Sequence, residues 1–244
     1  MLTEAIIVAG ALSGGVVTGL AGFGTALTAL GFWLYVVDPA IAAALVVICS
    51  VVGQLQSLCR VRRAVSWTLA WPFLLGGLLG VPLGVLALQV IDAHTLKLVL
   101  GVFLVGYTGL MLALRRLPTV ARWGGRLADG LVGSVGGVLG GIAGLSGVLM
   151  SIWCGLRGWN ADRQRGVYQP YNLIVLSIAL GIYASQGLLT ARVWELSLLC
   201  LPGTLLGTWL GLRLYGRVDD RQFRYLVLWL LLASGLVLTL SSLA

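Results

Sequence analysis

The chain has 244 residues, of which 59% are hydrophobic and only 10% are charged, whereas an ordinary soluble domain carries about 25% charged residues. This number of charges is too small to cover the surface of a soluble protein. The composition therefore predicts a membrane protein. It excludes a cytosolic enzyme, a nucleic-acid-binding domain and a disordered chain. The net charge of +8 comes almost entirely from arginines, which stand in short clusters between apolar runs, as topology signals do.

Eight long runs without a charged residue follow one another along the chain. Each is long enough, or nearly so, for a membrane-spanning helix of about 20 residues. The runs lack the alternation of polar and apolar residues that barrel strands show, so the sequence predicts an all-α membrane protein. The runs are 5–37, 39–59, 64–91, 98–114, 130–156, 166–191, 196–212 and 225–244.

Two of these runs fit a single straight helix badly. Run 5–37 is too long for one crossing and too short for two full crossings. Its centre, Gly19–Thr25, is rich in glycine, and run 130–156 has a similar centre in Gly140–Gly147. Such a density of glycine breaks a helix or lets two backbones touch. We therefore predict that each run folds back as a helical hairpin.

The two halves of the chain resemble each other. An offset of 122 residues gives eight identities between 14–34 and 136–156, and an offset of 127 aligns 76–97 with 203–224. The second block contains glycines spaced four apart, which predict closely packed helices. Two blocks in the same order indicate a duplication. The predicted parts are a first transmembrane repeat over 1–114, a cytoplasmic linker over 115–127 and a second repeat over 128–244.

The distribution of cationic residues predicts how these repeats lie in the membrane. If all eight runs crossed once, the cationic residues would divide equally between the two sides. With two hairpins, fourteen of the sixteen face the cytoplasm and only Lys97 and Arg192 face outward. The positive-inside rule prefers this second arrangement. Each repeat is then a glycine-broken hairpin plus three transmembrane helices, the repeats are inverted, and both termini are periplasmic.

The glycine pattern itself resembles a known family. The first copy reads Gly14-Gly15-x-x-x-Gly19-x-x-Gly22-Phe23-Gly24, with Asp38-Pro39 downstream. The second copy reads Gly136-Gly137-x-x-x-Gly141-x-x-Gly144-Leu145-Ser146-Gly147. With the length and the spacing of the two copies, this pattern is similar to that of the sulfite exporter TauE/SafE family of bacterial membrane proteins. The resemblance implies transport of a small sulfur-containing anion, such as sulfite or a sulfonate, across the bacterial inner membrane.

The two glycine-rich breaks supply the first candidate binding residues. If helices restart after the breaks, free backbone N–H groups face the middle of the membrane and can bind an anion without a cationic side chain. The alternative is that the small residues only permit close helix contact. The candidates are Gly22, Gly24 and Thr25 in the first copy and Gly144, Ser146 and Gly147 in the second.

Polar residues inside two other runs supply further candidates. The offset of 122 places Ser50 on Asn172, and Gln169 lies one helical turn before Asn172. A polar side chain in a bilayer needs a partner, which is either a neighbouring helix or a substrate. Arg165 precedes this segment and is predicted to lie in a loop, where it either recruits anions at the cytoplasmic mouth or determines topology.

These features predict a transporter and not an enzyme. The chain has no Walker motif, a single histidine and no carboxylate in the middle of a run, so we expect no cofactor and no metal site. The expected partners are a small anion and the lipid bilayer, without nucleic acid. The leading interpretation is a secondary carrier that exports a sulfur-containing anion. The alternatives are a passive anion channel and an importer of an organic sulfonate or carboxylate anion.

Overall fold

The computed structural model describes residues 2–113 and 124–215, and six further residues at positions 229, 232, 235, 236, 239 and 240. The described part is helical, as predicted, with a short 3-10 turn at Arg62–Ala64. Most of the predicted linker and most of run 225–244 lie outside the described residues. The helices are α1 Leu2–Ala21, α2 Thr25–Trp33, α3 Pro39–Val61, α4 Trp67–Val90, α5 Ala93–Ala113, α6 Gly125–Ala143, α7 Ser146–Leu156, α8 Ala161–Ser185 and α9 Ala191–Leu214.

Five of the described helices are long and apolar enough to cross a membrane: α1, α3 with its short turn, α4, α8 and α9. Helices α2 and α7 have only 9 and 11 residues, which at 1.5 Å per residue reach about halfway across the hydrocarbon layer. The fold class of an all-α membrane protein is therefore confirmed. The inversion of one half relative to the other remains a prediction.

Both glycine-rich runs are broken where the sequence predicts. The chain turns between α1 and α2 at Gly22 and Gly24, whose φ angles are +79° and +118°, and between α6 and α7 at Gly144, whose φ is +70°. These angles lie in the left-handed region, which glycine alone adopts without strain. The glycines are thus needed for the turns themselves, besides any role in binding.

After each break the short helix folds back on the long one. The indole Nε1 of Trp33 donates a hydrogen bond of 3.0 Å to the carbonyl of Ile7, which fixes the end of α2 near the start of α1. In the second half, Nε1 of Trp153 donates a 2.7 Å hydrogen bond to Oδ1 of Asp129, which fixes α7 along α6. The predicted helical hairpins are therefore present in both halves.

Glycines join each hairpin to the opposite half of the chain. Helix α1 packs along α9, and α6 packs along α4. A methyl group added at Gly15 would lie 2.6 Å from the carbonyl oxygen of Thr204, and one at Gly137 would lie 2.5 Å from that of Gly77. These backbones touch, so no larger residue fits, as the four-residue glycine spacing predicts. The hairpin of each half is therefore packed against a helix of the other half.

Helices α3 and α8 lie at the centre of this arrangement. Helix α3 contacts α1, α2, α8 and α9, and α8 contacts α3, α4, α6 and α7. Two-thirds of the most apolar window of α3 is buried. The polar side chains of Ser50 and Gln54 on α3 and of Gln169 and Asn172 on α8 are buried. They therefore face protein and not lipid, which is the condition for a polar site within a membrane.

Candidate functional site

A small cavity lies where the two glycine breaks meet the central helices. Its volume is about 10 Å³, which is room for about one water molecule. Among the described residues, no charged side chain lines it. The lining comes from the starts of α2 and α7 and the middle of α3 and α8: Phe23, Gly24, Thr25, Ala26, Leu27, Ser50, Gln54, Gly144, Leu145, Ser146, Gly147, Val148, Asn172 and Leu176.

Two helices begin at this cavity. Helix α2 starts at Thr25 and α7 starts at Ser146, so the predicted restart of both helices is confirmed. The first-turn N–H groups of a helix have no partner within the helix, and its amino terminus carries about half a positive charge. Two such ends at one cavity form an arrangement that suits an anion.

The cavity brings together seven of the ten candidate residues. Oγ of Ser146 donates a hydrogen bond of 2.9 Å to Oδ1 of Asn172. The Nδ2 donor of Asn172 therefore points away from Ser146. Ser50 makes no hydrogen bond to the described residues and is only 4% exposed. The seven residues are Gly24, Thr25, Ser50, Gly144, Ser146, Gly147 and Asn172.

The Thr25 hydroxyl is already engaged. Its Oγ1 lies 2.6 Å from Oγ1 of Thr18 on α1, and both residues are buried. This pair ties the start of α2 to α1 across the hairpin. The backbone N–H of Thr25 is therefore the group that remains for a ligand, whereas its side chain has a structural partner.

Sequence reasoning did not select Gln54 as a site residue, although it lines the cavity. Its Nε2 donates a 2.9 Å hydrogen bond to the carbonyl of Gly22, and its Oε1 is buried without a partner among the described residues. The available signal was its position four residues after Ser50, because residues four apart share one face of a helix. Gln54 both supports the first break and presents an acceptor.

Two candidates lie beside the cavity and not in its lining. The Nε2 of Gln169 donates a 2.7 Å hydrogen bond to Oγ of Ser57, so this amide joins α8 to α3. A methyl group on Gly22 would lie 2.8 Å from the same Nε2. The break at Gly22 is thus packed directly against α8, and these two residues shape the wall that surrounds the site.

The predicted loop position of Arg165 is wrong. This residue lies within α8 and is only 1% exposed. Its Nη2 donates to the carbonyls of Gly19 and Leu20 in the last turn of α1. Carbonyls at a helix carboxyl end lack partners within the helix and carry partial negative charge. The buried guanidinium therefore caps the carboxyl end of α1 at the first break. An arginine in a loop would instead be solvated by water.

A wider cavity of about 690 Å³ lies between the carboxyl ends of α3 and α9. Its lining includes Arg60 and Arg213, which make it basic. Its lining also includes Tyr215, and the guanidinium of Arg165 lies 3.7 Å from the centre of that ring. A basic opening thus lies next to the buried arginine that caps α1.

Comparison with known proteins assigns the chain to a family. The model of the family described as "Sulfite exporter TauE/SafE" matches residues 6–238, which include both breaks and the whole lining of the small cavity. A search of curated proteins returns no match. A search of solved structures returns none either. Because the matched segment spans nearly the full chain, this membrane protein belongs to the sulfite exporter TauE/SafE family.

Proposed function

We propose that this membrane transporter is a secondary carrier that exports a small sulfur-containing anion, such as sulfite or an organosulfonate, across the bacterial inner membrane. The observation that carries the proposal is the convergence of two helix amino termini, at Thr25 and Ser146, on one cavity. The family supplies the class of substrate. Uncharged donors are sufficient for an oxyanion when they are fixed in place and water is excluded.

The size of the cavity supports a carrier over a channel. A channel needs a continuous water-filled path, whereas the cavity between the breaks holds about one water molecule. The anion therefore needs a conformation in which the helices around the cavity separate. Export also has a natural driving force, because moving one negative charge out of a cell with a negative interior is favourable by about 2.3 kcal/mol per 100 mV.

Flux measurements with the purified protein in liposomes test the proposal. We expect saturable uptake of labelled sulfite or ethanesulfonate, and faster uptake when unlabelled anion is present on the opposite side. Protein-free liposomes of the same lipid are the control. Flux that stays linear with concentration and is insensitive to anion on the opposite side would contradict the carrier and indicate a channel. Import against the expected direction in intact cells would contradict export.

We also propose that both termini face the periplasm. The proposal rests on the fourteen cationic residues that the hairpin arrangement places in the cytoplasm. A reporter enzyme that is active only in the periplasm should be active when fused after Ala244. The same reporter fused after Arg63, in a predicted cytoplasmic segment, should be inactive. If the reporter is inactive after Ala244 and active after Arg63, the orientation is the reverse of the one proposed.

A further inference from the structure

The helix ends and one buried arginine set the charge of the small cavity. Helices α2 and α7 begin there, and α1 and α6 end there, so their opposite partial charges of about one half each nearly cancel. The guanidinium of Arg165 adds one positive charge at the end of α1. None of the described carboxylates forms an ion pair with this guanidinium. Counting only the described residues, and leaving out Asp162 because its side chain is exposed to solvent, the surroundings of the cavity therefore carry about one positive charge.

The lining combines hydrogen-bond donors with a buried amide oxygen. The donors are backbone N–H groups at the starts of α2 and α7, the Ser50 hydroxyl and Nδ2 of Asn172. The amide oxygen is Oε1 of Gln54, an acceptor on a side chain that is 2% exposed, and it has no partner among the described residues. Its orientation is fixed, because Nε2 must face the carbonyl of Gly22 to donate.

We propose that the cavity selects a singly charged sulfur oxyanion that also carries a hydroxyl group, and that Oε1 of Gln54 accepts the hydrogen bond from this hydroxyl. The inference rests on the proposed function and names its substrate more closely. Hydroxyalkanesulfonates and hydrogensulfite in its hydroxyl form belong to this class. The oxyanion occupies the donors of the two helix ends, and the hydroxyl supplies the partner that Gln54 lacks.

The charge balance disfavours doubly charged anions. One negative charge is matched by the surroundings, but a second would remain uncompensated in a buried site of low dielectric constant, where an unmatched charge is costly. Oε1 of Gln54 also disfavours anions such as sulfate, because this acceptor repels an anion whose oxygens carry no hydrogen. Sulfate, with two charges and no hydroxyl at neutral pH, is the natural poor ligand for comparison.

Two sulfonates that differ by one hydroxyl group test the role of Gln54. Ethanesulfonate and 2-hydroxyethanesulfonate carry the same single charge, and their Kd values are measured by calorimetry on the purified full chain at pH 7. We expect the hydroxylated ligand to bind about tenfold more tightly, because the analogue without it leaves a buried acceptor unpaired. Sulfate should bind more weakly than both. Both sulfonates need the same wider form of the cavity, so its opening cancels in their ratio.

The variant Gln54→Met removes the acceptor and should reduce this tenfold preference to about one. The matched control is Gln56→Met. Gln56 lies on the same helix and its Oε1 is also buried without a partner among the described residues, but it lines the wider cavity and not the small one. The control should keep the preference. Equal binding of the two sulfonates to the unmodified protein, tighter binding of sulfate, or loss of the preference in both variants would each overturn the inference. If no sulfonate binds and none is transported, the proposed function itself fails.

Discussion

The variant Gly144→Leu is expected to abolish transport. Gly144 forms the second break with a φ of +70°, and the first side-chain carbon added there would lie 2.5 Å from Cγ1 of Val46 on α3. Val46 is fully buried, so it has no room to move away. A leucine at this position forces α7 away from α3 and separates the groups that line the cavity. Transport in liposomes, with the amount of protein in the membrane measured in parallel, checks this result.

Gly187→Leu is the matched control for this experiment. Gly187 has nearly the same φ, +71°, but no described residue lies within 4 Å of a first side-chain carbon added there. Its leucine variant therefore carries the same backbone strain, roughly 1–2 kcal/mol, without the collision. We expect it to reach the membrane and to transport. Wild-type transport by Gly144→Leu would contradict the role of the break. Loss of Gly144→Leu from the membrane, with Gly187→Leu present, would show that this glycine serves packing alone.

The variant Asn172→Ala is expected to weaken sulfonate binding by roughly 10- to 150-fold. The amide contributes an Nδ2 donor to the cavity and also accepts from Ser146, so its removal disturbs two groups at the start of α7. A hydrogen bond to a charged partner contributes about 1.5–3 kcal/mol, which corresponds to that loss in affinity. Ser50→Ala, at the matching position of the first half, should weaken binding in the same range. Calorimetric Kd values with ethanesulfonate measure both effects.

Ser197→Ala is the control for these two variants. Ser197 is buried like Ser50, but its hydroxyl donates to the carbonyl of Val193 within α9, and it does not line the cavity. Its Kd should stay close to that of the unmodified protein. If Asn172→Ala and Ser50→Ala also bind ethanesulfonate normally, the anion does not occupy the cavity between the breaks. The basic opening lined by Arg60 and Arg213 would then be the next place to look for it.

The sequence alone determines the class of the protein and the position of its breaks. Only helices and closed barrels span a membrane, and the apolar runs lack the alternation of barrel strands, so the helices follow from the length and pattern of these runs. The turns at Gly24 and Gly144 follow from glycine density, because only glycine adopts positive φ without strain. The offset of 122 pairs Ser50 with Asn172, and the two residues do line one cavity. The family resemblance rests on the same glycines and is confirmed.

Only the tertiary structure decides which polar groups face the cavity. Gln169 and Asn172 are one turn apart on α8, but only Asn172 lines the cavity. Gln169 instead donates a hydrogen bond to the hydroxyl of Ser57 on α3. Gln54 enters the lining because the chain folds Gly22 next to it. Such contacts join residues more than thirty positions apart, and no local pattern encodes them.

The position of Arg165 shows the same limit most clearly. In the sequence it ends a cluster of charges before an apolar run, which is the ordinary pattern of a loop arginine. In the structure it lies in α8 with almost no exposure, because α1 ends opposite it with carbonyls that need donors. The partner that makes this burial favourable is 146 residues away along the chain. The sequence determines that these carbonyls and this cation exist, and only the packing of α1 against α8 brings them together.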